Sequence, residues 1–208
     1  MDAATREVAA AELILGALRL DPAVYPLALE APGGLALAAW IFLLAGLSAA
    51  LAQSVALFAN RVRPWRFAAS LTVGAVLYTL SILVWIGALA LVATTLLDRD
   101  VPAAALVRLV GLAHAPQLFA VLGFIPYFGA GIGALLTIWT YLGVAVAARA
   151  TFALGLQETL LALAGAWLVT LLLHRTVGRP VARLTRWLRR TVAGTPASAR
   201  ARDEVGGS

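Results

Sequence analysis

Few polar residues interrupt the long apolar runs of this chain, and those few are where it could do chemistry. His114 and Gln117 lie three apart, so they share a helix face, and Pro116 stands between them. Proline has no N–H and leaves a carbonyl one turn back without its partner. On one reading, the two side chains satisfy that broken backbone. On the other they form a polar pocket or a proton-sensitive site, since histidine titrates near neutrality. Gln53 closes an earlier run, where it can hydrogen-bond across helices and fix their packing, or contact a ligand or lipid. Glu158 opens the last run. There the helix dipole favours a carboxylate, so capping is the plain reading and a functional acid the sharper one.

Catalysis finds little support. The chain has no Gly-x-Ser-x-Gly elbow, no His-Glu-x-x-His, and no second carboxylate to pair with Glu158 inside its run. Two histidines and no cysteine are too few good ligands for a transition metal. No catalytic, cofactor-binding or metal residue is assigned, and the expectation is a protein without enzymatic activity. Gly129-Ala130-Gly131-Ile132-Gly133 has the glycine spacing of close helix packing. A phosphate cradle would need a strand before it and a lysine after it, and neither is there.

The elements that hold these residues must be helices in a bilayer. Hydrophobic residues make up 62% of the chain and charged ones 12%, with a mean hydropathy of +0.92, which is membrane-protein composition. Between Gly34 and Leu173 the only acids are Asp98, Asp100 and Glu158. All sixteen cationic residues are arginines and eight lie beyond His174, so the net charge of +6 belongs mostly to one end. That asymmetry points to an anionic membrane face and away from nucleic acid. Met1 to Leu20 carries Glu7 and Glu12 and makes no convincing secretory signal, so the first crossing is expected to act as the uncleaved insertion signal.

The expected fold is all-α: a polytopic transmembrane bundle of five crossings with amphipathic interfacial helices at both ends. Residues 1–33 form the first of these segments, with Val8, Ala11, Leu15 and Leu18 at helical spacing. Asp21-Pro22 and Gly33-Gly34 bracket a connector. The transmembrane domain, 34–174, has crossings at about 35–58, 67–97, 106–125, 131–148 and 158–173. Gly46, Ser48, Ala49 and Ala50 give the first a small-residue packing face. The second is long enough that it must tilt, bend or extend past the bilayer. Arg108, His114 and Pro116 interrupt the third. Ile125 to Gly133 then reads as a helix breaking off, a tight turn, and a second helix starting close against its neighbours. Pro116, Pro126, Gly129, Gly131 and Gly133 are the kink and packing positions.

Residues 175–193 form the clearest amphipathic pattern. Arg179, Arg183, Arg186 and Arg190 fall on one face, and Val181, Leu184, Leu188 and Val192 on the other. Such a helix lies among headgroups, each cation contributing about 1 kcal/mol at an anionic leaflet. Residues 194–208 have the composition of a disordered tail. The arginines of the loop 61–66 and of the tail place both in the cytoplasm, and five crossings then put the N-terminus outside.

Three runs carry a resemblance: Gln53-Ser54-Val55-Ala56-Leu57-Phe58-Ala59-Asn60-Arg61-Val62-Arg63-Pro64, Val110-Gly111-Leu112-Ala113-His114-Ala115-Pro116, and Ile125-Pro126-Tyr127-Phe128-Gly129 followed by Ile138-Trp139. In order and spacing, over about 35–169, the chain resembles the YIP1 family of five-pass membrane proteins, particularly its bacterial members. The resemblance implies a helical bundle without enzymatic activity in a bacterial inner membrane. Eukaryotic members are trafficking factors that contact Rab-type GTPases and each other.

Two functions follow as expectations. The first is a scaffold or organiser, binding other membrane proteins or itself through helix faces and anionic lipid through the arginine helix. The alternative is a transport or lipid-handling protein, with a polar path near the broken helix at His114–Pro126. They differ visibly. The alternative expects a polar-lined cavity around His114, Gln117, Tyr127 and Thr137, and the scaffold expects solid packing there.

Overall fold

The computed structural model describes residues 3–53 and 64–173, and all regular structure among them is helical. In chain order these are α1 (Ala3–Leu18), α2 (Val24–Glu30), α3 (Gly34–Gln53) and α4 (Pro64–Leu96). Next come α5 (Ala103–Ala113), a 3-10 helix (Ala115–Phe124), α6 (Gly129–Phe152) and α7 (Leu156–Leu173). The side chains of Gln53 and Arg66, the continuation of α3 toward residue 58, and the loop arginines Arg61 and Arg63 lie outside the described residues. So do the helix expected to carry Arg179, Arg183, Arg186 and Arg190, and the tail 194–208.

Four helices are long and apolar enough to cross a membrane: Gly34–Ala52, Phe67–Leu96, Gly129–Phe152 and Leu156–Leu173. α5 and the 3-10 helix qualify only together, as a pair bent by 44°, and would make a fifth if the pair is one span. Its length suffices. Eleven residues of α-helix rise about 16 Å and ten of 3-10 helix about 20 Å, against a hydrocarbon core of ~30 Å. α4, with 33 residues, extends about 50 Å and exceeds that core.

Small residues make the closest helix contacts, and many large apolar ones face outward. On α4, Ala75, Ile82, Ile86 and Ala88 are buried, while Val73, Val76, Leu77, Leu80 and Leu83 are exposed. In water so continuous an apolar exterior would drive aggregation, whereas lipid solvates it. A methyl group on Gly46 would stand 2.8 Å from the carbonyl oxygen of Ala75 and 2.9 Å from its Cα, so α3 and α4 cross nearly backbone to backbone. Gly111 of α5 meets Ala38 of α3 in the same way, and Gly165 of α7 receives Val92 of α4. The 3-10 helix is packed between α3 and α6.

The N-terminal segment folds onto the bent pair and α6. α1 ends where Leu20 takes a positive φ of 58°, and Asp21 Oδ1 accepts a hydrogen bond from the Ala23 N–H at 3.0 Å, fixing the turn into α2. α2 fills what the sequence left as a connector. It packs on α5 and α6, while α1 reaches α5 and the 3-10 helix. Tyr25 is completely buried, and Arg108 Nη1 donates to the Leu29 carbonyl, tying α5 to α2. The inward residues of α1 are Leu13 and Ala17, whereas Leu15, placed by spacing on the apolar stripe, is exposed. With alanine on every side of α1, periodicity had no clear face to choose.

By compactness the chain divides between Trp167 and Leu168, and of the second unit only 168–173, the end of α7, is described.

Candidate functional site

Pro116 cannot donate, and the helix changes character just before it. The His114 N–H is shared between the carbonyls of Val110 at 3.0 Å and Gly111 at 3.1 Å, and from Ala115 the chain winds as a 3-10 helix. Such runs rarely exceed three or four residues because their hydrogen bonds are poorly aligned. Here α3 supplies support. The buried Ser48 donates through Oγ to the Leu118 carbonyl at 2.8 Å and accepts from the Val121 N–H at 2.7 Å. Other hydroxyls along the spans, those of Thr72, Thr79 and Thr137, bond the carbonyl four residues back in their own helix. Ser48 instead joins two elements.

His114 is buried, with Nδ1 2.7 Å from the Val110 carbonyl oxygen. A carbonyl only accepts, so Nδ1 carries a proton, and in the neutral ring Nε2 is then an acceptor. Phe42 meets the imidazole edge to face at 5.5 Å. Gln117 acts differently from its neighbour. Its Nε2 crosses to Thr140 Oγ1 at 3.1 Å, and that hydroxyl donates to the Leu136 carbonyl at 2.9 Å. The histidine thus serves its own helix, and the glutamine ties the 3-10 helix to α6.

Both side chains line a cavity of about 260 Å³. α4 contributes Tyr78, Ser81, Ile82 and Trp85; α6 contributes Thr137, Thr140, Tyr141 and Val144. All of these sit near the middle of their spans, so the polar groups converge halfway along three helices. Trp85 and Tyr141 stack edge to face at 5.8 Å. The indole Nε1 of Trp85 is buried without a hydrogen-bond partner. No Asp, Glu or Arg is in the lining. The space falls between a 150 Å³ cavity that holds benzene and drug-sized sites of roughly 300–1,000 Å³.

Tyr127 takes no part in this cavity. It occupies the turn after Ile125 with a positive φ of 68°, fully exposed, next to the exposed Pro126. Pro116 is buried at the start of the 3-10 helix. Gly129 lies so close to the Gly123 backbone that a Cβ would overlap its carbonyl oxygen. Gly131 and Gly133 have nothing within 4 Å of a Cβ position, so the close packing expected of them is not made by the described residues. The chain doubles back at Gly129, and one turn further the helices have separated. Glu158 accepts the Gly155 N–H through Oε2 at 2.9 Å, the reach of an N3 carboxylate back to the helix cap.

No family model, curated protein or solved structure matches the chain. The resemblance to the YIP1 family therefore rests on the residue runs quoted above. Among the described residues, no three His, Asp or Glu side chains gather where they could hold a metal ion. Sequence reasoning put Ser48 on a packing face without its backbone bonds, drew nothing particular from Trp85, and passed over Thr140. Each has an unremarkable place in its own run, and the signal is in what faces it across a helix interface.

Proposed function

We propose that the protein is a non-enzymatic membrane protein of five spans that holds, and hands on, a small uncharged amphiphile at the middle of the bilayer. The observation that carries this reading is the cavity: polar side chains from three spans converge on it at mid-length, beside a helix that is broken there. Discontinuous helices place binding sites near the bilayer midplane because unwound backbone and polar side chains are tolerated only where they line a cavity. Solid packing around His114 and Thr137 is what a pure organiser would show, so the cavity favours the ligand-handling role. A scaffold role retains one supporting observation, the uncovered Gly131 and Gly133 of α6, which would let a partner helix or a second copy approach closely.

Arginine asymmetry supports a cytoplasmic C-terminus and an outside N-terminus in a bacterial inner membrane. The bilayer itself, with anionic lipid at Arg179, Arg183, Arg186 and Arg190, is then a partner. Native mass spectrometry of the full chain from mild detergent tests the reading. A retained small molecule, lost when Ser81→Phe fills the cavity, is expected. Retention unaffected by Ser81→Phe, or co-purifying protein subunits with no small molecule, would return the scaffold to first place.

A further inference from the structure

The chemistry of the cavity wall narrows the occupant, given the reading that the cavity is a binding site. Its hydroxyls can donate or accept and His114 Nε2 can accept, but one lining group is restricted to donation. The Trp85 N–H can only donate, is buried, and has no partner. The hydroxyls of Tyr78, Ser81 and Tyr141 have no hydrogen-bond partner among the described residues, whereas those of Thr137 and Thr140 are engaged by their own helix. A buried donor left unpaired is unfavourable and is satisfied when an acceptor enters. The wall offers no charge of either sign to balance a phosphate, carboxylate or ammonium headgroup. Three aromatic residues, Tyr78, Trp85 and Tyr141, supply flat apolar surface beside these donors.

We infer that the cavity takes an uncharged, membrane-soluble molecule presenting a carbonyl oxygen, received by the Trp85 N–H and a neighbouring tyrosine hydroxyl. Two lipid sources share that chemistry: a quinone ring, whose flat shape the aromatic wall suits, and the ester carbonyl of a neutral glyceride. Only binding is assigned; no electron or group transfer is implied.

The test uses the full chain in mild detergent and four probes: a decyl-substituted quinone, a short-chain diacylglycerol, dodecanol and dodecane. Binding is read by ligand-induced thermal shift and by titration. At least one carbonyl probe is expected to bind ten or more times more tightly than dodecanol, and which of the two does so identifies the source. Trp85→Phe keeps a flat apolar ring and removes the N–H, so that preference should fall about tenfold while the ligand-free protein keeps its midpoint. Tyr141→Phe, which deletes one hydroxyl, provides a second readout if Trp85→Phe does not fold. Equal binding of dodecanol and the carbonyl probes, or an unchanged preference in a folded Trp85→Phe protein, would overturn the inference. A native molecule retained in the cavity but lacking a carbonyl would also overturn it, yet leave the pocket reading intact. Absence of any retained molecule, with none of the four probes binding, would remove both.

Discussion

Individual side chains decide how the break is tolerated. Ser48 gives one bond and takes one on the same partner element, so Ser48→Ala would remove both cross-helix bonds to the part-buried Leu118 carbonyl and Val121 N–H. A loss of about 2–4 kcal/mol is expected, read from denaturant titration of the full chain in detergent. An unchanged midpoint would mean that the 3-10 helix does not need this support. Tyr25 presents the opposite case. Its hydroxyl is buried and has no partner, so Tyr25→Phe should keep or slightly raise thermal stability. Burial also pushes the Tyr25 phenol from 10.0 up to about 12. Because the folded value is the higher one, its contribution is complete below about pH 10 and is lost as pH climbs through 12. Melting curves across that interval should therefore fall more steeply for the natural chain than for Tyr25→Phe; parallel curves would contradict the burial. His114 and Gln117 were legible in the sequence because a polar residue in an apolar run is visible without knowledge of its neighbours. The bonds of Ser48 were not, because a serine among small residues gains its role only from the backbone that faces it across the helix interface.

Elements repeat that contrast. The crossings were legible from apolar length, since each helix must be covered or lipid-solvated along its whole run. α2 was not legible: it spans seven residues with a proline among them, and it exists because α5 and α6 offer it a place to bury Tyr25. The interruption was legible at Pro116, but the change of winding begins at His114, since a missing N–H disturbs the residues before the proline. Glycine spacing does not say where a partner helix runs: among the described residues Gly129 is closely packed, while nothing lies within 4 Å of a Cβ at Gly131 or Gly133. A paired substitution separates the two situations. Gly111→Leu should destabilise the bundle by roughly 3 kcal/mol or more, since Ala38 occupies the space, while Gly131→Leu should be nearly neutral in the isolated protein. Similar thermal midpoints for the two variants would contradict the crossing of α3 and α5.

At the scale of the whole molecule, charge and grease are kept apart, and the arginine-rich end acts on its own terms. Replacing Arg183, Arg186 and Arg190 by glutamine in the full chain should weaken its pull-down by anionic liposomes, as the difference between low and high salt, without moving the thermal midpoint. Binding that stays equally salt-sensitive in the variant would dissociate these arginines from lipid recognition. What composition could not disclose was the cavity beside the bent helix pair. Tyr78, Ser81, Trp85, Thr137 and Tyr141 are scattered over some sixty residues, and only the fold, with α4 and α6 standing on either side of His114 and Gln117, brings them together.

The ten residues that wind as a 3-10 helix are also a stored length. At about 2.0 Å per residue instead of 1.5 Å, they hold the span about 5 Å longer than the same residues would as α-helix. Rewinding them would reel in the bare aromatic corner at Tyr127 and Phe128 by nearly one helical pitch and swing Gln117 off Thr140. The two bonds of Ser48 hold the segment at its present length.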